Sequence, residues 1–416
     1  MAKIFISFFN GVKGTDCKDA MPAFYETFCE GLVKAGNDLL IVMHSMFNKD
    51  FETIPEKLLT KKKTFDPDLI FLFNNKFYDL SDNFECPIII YDVDSPLYYS
   101  NKDKLKNNPN RYFYFESQTD ICEVLKKDFK VDSKNILMVP FFTEIREEPL
   151  EKKYNICFIG SKFHGTSKNY INLFMQDSPN DRERQQYSHL LEKVNSNPFL
   201  TQDEILEGIT SCKIKKNFDI NNAIFALSTE KRLKTLIFIS DLGLNIWGTS
   251  NWGTDNYNMP HLNLSFDARP VYSLKHNQDI YNSSKIGISI SHLQATSGFP
   301  WRVADIMASD ACLVTDYHAD FNKYFPHFKK HFWNHELPCF DNPMEARKLC
   351  EKLLKNDRMR EDIVVHCNEI INKNYRFSNV LKVMADFLPV SIVNKDKLGT
   401  KELLLLEEWL ELEQTT

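Results

Sequence analysis

The sequence predicts an α/β protein with two doubly wound parallel sheets, and three observations support this fold class. Its 416 residues exceed what one hydrophobic core usually supports, so two domains are expected. Short apolar runs alternate with amphipathic stretches of helix length, which is typical of parallel strands joined by crossover helices. The apolar runs are also continuous, which indicates strands that helices cover on both faces.

Residues 1–150 are predicted to form the first Rossmann-like domain. The apolar runs KIFISFF, DLLIVM, PDLIFLF and PIIIYDV occur there, and a helical pattern covers about 21–35 after the first run. A further run, NILMVPFF, precedes the charged stretch EIREEPLEKK. We interpret that stretch as an interdomain linker.

Residues 151–375 are predicted to form a second Rossmann-like domain, because the alternation begins again with YNICFIG, LNIWG, KIGISIS and ACLVTD. Within it, RERQQYSHLLEKV and STEKRLKTLIFISDL have amphipathic helical patterns. Residues 376–416, ending in KELLLLEEWLELEQ, are predicted as C-terminal helices that pack back on the first domain or on a partner. Homo-oligomerisation or peripheral membrane contact through the tail stays open, although membrane-surface helices usually carry Lys and Arg.

Charge and cysteine usage narrow the class of partner and compartment. The 57 acidic and 51 basic residues give a net charge of -6, which disfavours a nucleic-acid partner. The 10 cysteines are scattered without a C-x-x-C pair, so a reducing cytoplasm is the simplest setting. The start MAKIFISFFNG fits a core strand better than a signal peptide, and no apolar run approaches a bilayer-crossing length.

Three loops at strand ends have residues suited to phosphate, because ligands of open parallel sheets lie beyond the carboxyl ends of the strands. The first two are FFNGVKGTD, after strand one, and FIGSKFHG, which contains Gly160 and Ser161. Neither matches G-x-G-x-x-G or a Walker A loop, so ordinary tight turns remain the alternative.

The third loop, ATSGFPWRVADIMAS, is the most informative. Ser297 and Gly298 are placed to lie against a phosphate at a helix N-terminus, and Arg302 and Asp305 follow in the helix. An arginine can neutralise a diphosphate leaving group, and a carboxylate there can accept both ribose hydroxyls. The alternative is a surface ion pair between Arg302 and Asp305, which would contribute only about tenths of a kcal/mol.

The second half also resembles a known family. The runs NICFIGS, LNIWGTSNW, DIYNSSKIGISIS, SGFPWRVADIMASDACLVTDYHADFNKYF and NYRFSNVL are similar to bacterial glycosyltransferases related to the spore-maturation protein CgeB. PIIIYDVDSPLYYSN and FESQTDICEVLKKDF add a weaker similarity in the first half. The resemblance implies GT-B architecture, with two Rossmann-like domains facing a central cleft. The first would bind a glycan or protein acceptor and the second a nucleotide sugar.

The resemblance implies roles for individual residues. Arg302 and Asp305 match the family's R-x-x-E element, in which the acid contacts the nucleotide ribose. Six further residues match donor-site positions: Gly160 and Ser161 beneath the diphosphate, Val271 and Tyr272 near the base, and Trp247 and Gly248 at the turn that opens the donor cleft. The sequence departs from the family where Asp305 replaces Glu and Asp310 replaces a glycine. Ser297 occupies the place of a second glutamate of retaining enzymes, which leaves the stereochemistry open.

Three residues are candidates for catalysis. Asp16 or Asp94 would be the base of an inverting reaction, and His164 lies in the loop beside the expected diphosphate. The expected donor is a UDP-, GDP- or CMP-sugar, with no cofactor and no metal ion. A metal site at Asp92 and Asp94 in DVD is the disfavoured alternative, because the motif is short.

Two kinds of alternative stay open. His327, His331 and His335 have a spacing that can align three imidazoles on a helix, but a solvated aromatic-rich face is favoured over a zinc site. In place of a glycosyltransferase of bacterial surface-polysaccharide or protein glycosylation, the chain can be a catalytically silent GT-B-like scaffold or a sugar-nucleotide epimerase.

Overall fold

The computed structural model describes residues 1–9, 21–44, 56–74, 84–93, 102–162, 181–212, 217–249, 252–253, 260–269, 271, 273–325, 338–394 and 397–405. The chain divides into two compact units. Unit 1 contains Met1–Glu144 and Asn374–Thr416, and unit 2 contains Ile145–Lys373.

Unit 1 begins as the predicted alternation of strands and helices. Its elements up to residue 144 are β1 (Lys3–Phe9), α1 (Ala23–Lys34), β2 (Asp38–His44), α2 (Glu56–Phe65), β3 (Leu69–Phe73), β4 (Ile88–Asp92), α3 (Lys102–Asn107), β5 (Phe113–Glu116), α4 (Thr119–Asp128) and β6 (Ile136–Met138). Short 3₁₀ turns lie at Pro109–Arg111 and Ser133–Asn135. Every residue of β3 and β4 is buried, as continuous apolar strands between two helix layers require.

Unit 2 repeats the alternation with more helices. Its elements are β7 (Tyr154–Ile159), α5 (Asp181–Ser196), α6 (Gln202–Ser211), α7 (Asn217–Ile239), β8 (Leu244–Trp247), α8 (Pro260–Ser265), α9 (Leu274–Asn282), β9 (Ser284–Ser289), α10 (Arg302–Met307), β10 (Cys312–Asp316), α11 (Phe321–Tyr324), β11 (Cys339–Phe340), α12 (Pro343–Leu354) and α13 (Asp357–Asn374). A 3₁₀ turn at Ser240–Leu242 follows α7. The chain then returns to unit 1 with α14 (Phe377–Phe387) and β12 (Lys401–Leu405).

The described strands form one parallel sheet in each unit. Their order is β12-β2-β1-β3-β4-β5-β6 in unit 1 and β11-β10-β9-β7-β8 in unit 2, and each pairing is parallel. In both sheets the chain winds outward from a central strand in two directions. The prediction of two doubly wound parallel sheets is therefore confirmed.

An aromatic cluster attaches α14 to unit 1. The ring of Phe377 lies 5.9 Å from that of Phe28 in α1 and 5.0 Å from that of Phe142, measured between centroids. Gly31 of α1 faces the same ring, and a Cβ at that position would overlap it. The C-terminal residues therefore complete the core of a unit whose other elements lie at the start of the chain.

The tail is a strand where an amphipathic helix was predicted. β12 pairs with β2 from Lys401 beside Leu39 to Leu405 beside Met43, and Leu404 packs into the core of unit 1. The helix prediction is wrong for residues 401–405, because a short apolar run satisfies helical and extended periods alike and the pairing partner is distant in sequence. Residues 406–416 lie outside the described part of the chain.

Helix α7 contains the second predicted amphipathic stretch, but it does not have a solvated polar face. Its buried polar side chains are Ser228, Thr229, Lys231, Arg232 and Thr235. Each of them has hydrogen-bond partners inside; Ser228 Oγ, for example, donates to Ile224 O at 2.6 Å and accepts from Leu293 N–H at 3.0 Å, and Lys231 Nζ donates to Asp316. Among the helices that the structure describes, none combines the length and apolarity needed to cross a membrane.

Candidate functional site

The sheet of unit 2 changes its winding direction at β7. The chain goes from β7 to β8 on one side and later to β9 on the other side. In open parallel sheets, ligands bind beyond the carboxyl ends of the strands at such a switch point. The residues that follow β7 and β9 there are Gly160 and Ser161 on one strand and Ile290 and Ser291 on the other.

Two glycines bring the ends of β7 and β8 together. The N–H of Gly160 donates to Trp247 O at 2.9 Å, and the indole N–H of Trp252 donates to Gly160 O at 2.8 Å. Gly248 has a φ of +155°, and a Cβ on it would overlap the carbonyl oxygen of Gly160. The close approach therefore requires glycine at position 248. The structure thus brings together the predicted residues Gly160, Trp247 and Gly248, with the Trp247 side chain fully buried.

Two arginines meet on one carbonyl oxygen at the end of β9. Arg232 Nη2 donates to Ile290 O at 2.6 Å, and Arg302 Nη1 donates to the same oxygen at 3.4 Å. Arg232 Nη1 also donates to Ser161 O at 2.5 Å, so this side chain joins the two sides of the switch point. Both guanidiniums face the ring of Phe158, at 5.3 and 5.7 Å from its centroid.

The absence of a side chain at Gly160 admits Arg302 to the end of β7. A Cβ at this position would lie 2.9 Å from Cζ of Phe158 and 3.2 Å from Nη2 of Arg302. Either distance is closer than ordinary van der Waals contact. Gly160 and Arg302 are therefore neighbours, and their predicted contacts with a diphosphate stay predictions.

The electrostatics of this site favour an anion. Burial is the largest cause that lowers the pKa of Arg232 and of Arg302, and the charge of Arg302 lowers that of Arg232 further. The charge of Asp316 opposes both shifts. Guanidinium groups nevertheless stay protonated in proteins. Two like charges in a medium of low dielectric repel each other, so an anion bound beside both would be strongly favoured.

Asp305 is only 4 % exposed, so the alternative of a solvated Arg302–Asp305 surface pair is wrong. Its charge acts instead on two buried neighbours: it opposes the lowering of the Arg302 pKa and, after burial, is the largest cause that raises the pKa of Tyr281. The predicted contact between Asp305 and the ribose of a nucleotide stays a prediction.

Ser297 and Gly298 precede α10 instead of forming its N-terminus, because α10 begins at Arg302 after Trp301. The hydroxyl of Ser297 donates to Asp320 Oδ2 at 2.9 Å, and Asp320 N–H donates to Ser297 O at 2.9 Å. These bonds fix the loop against the start of α11. The predicted phosphate contact of Ser297 and Gly298 stays a prediction.

The remaining predicted residues have separate outcomes. Val271 is buried, and its place near a nucleotide base stays a prediction. Asp310 does not adopt the left-handed conformation that a glycine there would suit, and its carboxylate pairs with Lys152 at 2.6 Å. Seven of the predicted residues lie outside the described part of the chain: Asp16, Asp94, His164, Tyr272, His327, His331 and His335.

The carboxyl edge of unit 1 contains a pair of buried acids. Asp92 ends β4 and Glu116 ends β5, and the two residues are directly paired in the register of the sheet. Burial and then the charge of Asp92 raise the pKa of Glu116 well above its usual range. Within the described ranges, no group of three His, Cys, Asp or Glu residues is placed to hold a metal ion.

Sequence reasoning missed Arg232, Asp316 and Glu116. Arg232 lies in a stretch whose pattern indicated a surface helix. Asp316 ends the predicted strand ACLVTD, so the rule that ligands gather at the carboxyl ends of parallel strands was the available signal for it. Glu116 ends β5, which was not predicted as a strand.

A comparison with known family models matches the part of the chain that contains the two arginines. Residues 228–386, which include both arginines and Asp316, match the family model described as glycosyl transferase-like. The match lies almost entirely in unit 2 and contains the carboxyl end of β9. A search of curated proteins gave no significant match.

Solved glycosyltransferase structures have a similar fold over most of the chain. Anabaena HepE in complex with UDP and glucose has 11 % identity and a TM-score of 0.52, with 93 % of this chain and 99 % of that chain covered. Sucrose-phosphate synthase from Thermosynechococcus elongatus has 9 % identity and a TM-score of 0.56, with 93 % and 98 % covered. The chain has the GT-B fold class, as predicted. The match of residues 228–386 to the glycosyl transferase-like model supports glycosyl transfer.

Proposed function

We propose that the chain transfers a sugar from a nucleotide-sugar donor to a glycan or protein acceptor, and that unit 2 holds the donor diphosphate at the carboxyl ends of β7 and β9. One observation carries this proposal: Arg232 and Arg302 meet on Ile290 O at the switch point of the sheet. Arginine donates in a planar fork that matches phosphate oxygens, and two of them supply the charge that a diphosphate needs.

The reaction breaks the bond between the anomeric carbon of the sugar and a diphosphate oxygen, while the acceptor oxygen bonds to that carbon. Negative charge develops on the departing nucleoside diphosphate. Arg232 and Arg302 are already oriented by main-chain carbonyls, so they stabilise this charge without reorganising. In this proposal Gly160 and Ser161 lie beneath the diphosphate, and Asp305 binds the ribose.

The finer parts of the proposal concern the acceptor side and the setting. Asp16 or Asp94 deprotonates the acceptor hydroxyl if the reaction inverts, and His164 lies beside the diphosphate. The two arginines supply the positive charge that a metal ion supplies in other transferases, so the reaction is metal-independent. We place it in the cytoplasm, in bacterial surface-polysaccharide or protein glycosylation of the CgeB-like type.

A thermal-shift panel of UDP, GDP and CMP, each with its sugar conjugates, tests the donor site. UDP is the first probe, because HepE was solved with UDP and glucose and also with UDP-glucose. A ligand at a hundredfold excess over its Kd stabilises the native state by about 2.7 kcal/mol. Arg302→Met should clearly reduce the shift at the same ligand concentration. Arg347→Met is the matched control, because the half-buried Arg347 donates to Asp241 and to Phe238 O, each at 2.6 Å.

Turnover of the best binder with and without acceptors then separates the candidate functions. Slow donor hydrolysis, accelerated by an acceptor glycan or peptide, supports glycosyl transfer. Conversion of the donor sugar without any acceptor would indicate an epimerase, and tight binding without turnover would indicate a silent scaffold. If no nucleotide changes the melting temperature, the proposal is wrong.

A further inference from the structure

Asp316 is the centre of a buried hydrogen-bond network at the end of β10. Its two carboxylate oxygens accept from Ser291 N–H at 3.2 and 3.0 Å, and Oδ1 also accepts from the Ser291 hydroxyl at 3.0 Å. Lys231 Nζ donates to Oδ2 at 2.7 Å. Asp316 is 3 % exposed and Lys231 7 %, so this ion pair is shielded from water.

His318 completes the network from the other side. Its Nε2 lies 2.8 Å from Ser291 Oγ and 3.5 Å from Asp316 Oδ1. Because the Ser291 hydroxyl donates to the carboxylate, its oxygen accepts from His318, and Nε2 therefore has the hydrogen. The three residues consequently do not form a nucleophilic triad, in which the serine hydrogen would be directed at the imidazole.

The network is one residue away from the two-arginine site along two different segments. Ser291 directly follows Ile290, whose carbonyl both arginines share, and Lys231 directly precedes Arg232 in α7. The Asp316 carboxylate therefore binds Ser291, which is next to the carbonyl of Ile290, and Lys231, which is next to Arg232. The charge-assisted hydrogen bond of Lys231 to that carboxylate holds the backbone of α7 next to Arg232.

The charges around Asp316 keep its carboxyl group ionised. Burial alone would raise the pKa of Asp316, but the charges of Lys231 and then His318, with their hydrogen bonds, hold it far below its usual range. The carboxylate is therefore ionised at every physiological pH. Lys231 is the cation that pairs directly with Asp316, at 2.7 Å.

We infer that Asp316 is a positioning residue of the donor site: through Lys231 and Ser291 it fixes the carbonyl and the helix that orient the two arginines toward a diphosphate. This inference rests on the proposed function, since it assigns a role within the same site. Asp316 touches no reacting atom, and it acts through the geometry of its neighbours.

Calorimetric titration of UDP and of inorganic pyrophosphate tests the inference. Asp316→Asn keeps the size of the side chain but removes its charge, and we expect at least a tenfold weaker affinity for both probes. Ser291→Ala is the milder variant in case the first does not fold. It retains the Ser291 N–H and loses only the hydroxyl bonds, so a loss of threefold to tenfold is expected.

Asn282→Ala is the control for a merely structural effect. Asn282 is fully buried and polar, and it donates to Arg146 O at 2.9 Å and accepts from Asp310 N–H at 2.7 Å, next to the start of β9. We expect this variant to lower the melting temperature without changing the affinity of the folded protein. An equal loss of affinity in the control would contradict the inference.

A pH profile gives a readout that structural damage alone would not change. The charged and titratable groups that act on Asp316 are Lys231, His318, Arg232 and Arg302. In Lys231→Met, burial is opposed by one fewer cation, so the pKa of the Asp316 carboxyl should rise. The ratio of variant to wild-type affinity, in which the titration of the probe cancels, should fall as the pH decreases from 8 to 5.

The outcomes distinguish the inference from the proposed function. If the wild type binds neither probe, both fail. If the wild type binds but the variants at 316 and 291 bind equally well, only the inference fails. A ratio for Lys231→Met that does not change with pH would also overturn it.

Discussion

Arg232 and Arg302 donate to the same oxygen, the carbonyl of Ile290, at 2.6 and 3.4 Å. Buried charges of like sign normally lie apart, and here main-chain acceptors and the ring of Phe158 keep them together. An anion between them would remove their repulsion. Ligand binding and the stability of unit 2 are therefore expected to be coupled.

Because the arginines share one acceptor and one ligand, their effects on binding should not add. Arg232→Met and Arg302→Met should each weaken UDP binding by about ten- to a hundredfold, since hydrogen bonds to charged groups contribute about 1.5–3 kcal/mol. The double variant should lose clearly less than the sum of the two losses. Calorimetric titration of the four proteins measures the coupling, and strictly additive losses would show that the two side chains act on separate ligands.

A methyl group at position 248 should destabilise the fold. The φ of +155° and the overlap of a Cβ with Gly160 O make alanine strained there, so Gly248→Ala should cost more than about 1 kcal/mol in urea unfolding. Gly160→Ala meets only the tips of two side chains, so it should cost less stability. It should nevertheless weaken UDP binding, because its Cβ displaces Arg302. The reverse ranking of stability losses would contradict the turn geometry.

The acid pair of unit 1 should make stability depend on pH. The folded state raises the pKa of Glu116, so it keeps a proton that the unfolded chain has lost above about pH 4.3. The stabilisation is thus present at low pH and is lost as the pH rises through the folded pKa, by at most about 1.4 kcal/mol per pH unit. Glu116→Gln should flatten this dependence and be the more stable protein at alkaline pH. Urea unfolding between pH 5 and 9 measures both effects.

Glu123→Gln is the control for that experiment. Glu123 is exposed on α4 beside Lys126, so its replacement should leave the alkaline loss of stability close to that of the wild type. A wild-type stability that rises steadily toward pH 9 would refute the protonated pair.

The packing of β12 predicts unequal effects of mutations along the strand, because Leu404 is buried and Glu402 is exposed. Leu404→Ala should cost about 2 kcal/mol or more, because Leu404 packs with the core of unit 1. Glu402→Ala, on an exposed position of β12, should change the free energy of unfolding by less than about 0.5 kcal/mol. Urea unfolding of the two variants measures both effects, and similar losses at the two positions would contradict the packing of Leu404 in the core of unit 1.

The strands and most helices could be predicted from the sequence because their patterns are local. PDLIFLF and PIIIYDV are continuous apolar runs, and they form β3 and β4 with every strand residue buried. The segment that forms β12 has no such local signal. Its extended form depends on β2, which supplies the hydrogen-bonding partners from the opposite end of the sequence.

Site residues could be predicted from the sequence only where they lie in, or just after, a loop that directly follows a predicted strand. Gly160 and Gly248 directly follow strands, and Arg302 begins the helix after the loop that follows β9. Their places after predicted strands were enough to identify them as candidates. Arg232 was missed because its environment is supplied by β7 and β9, so a cation on a helix looked like part of a solvated face. Glu116 was missed because its importance comes from Asp92 on the neighbouring strand.

The return of the chain to unit 1 has a consequence for biosynthesis. When Glu144 leaves the ribosome, Phe28 lacks the ring of Phe377 and β2 lacks the partner that β12 provides. Unit 2 must be translated before these contacts can form, which takes roughly 10–50 s at ~5–20 residues per second. During that interval β2 has an open edge on the nascent chain. Chaperone binding to the emerging protein is therefore expected to concentrate on α1 and β2 and to end once residue 405 is released.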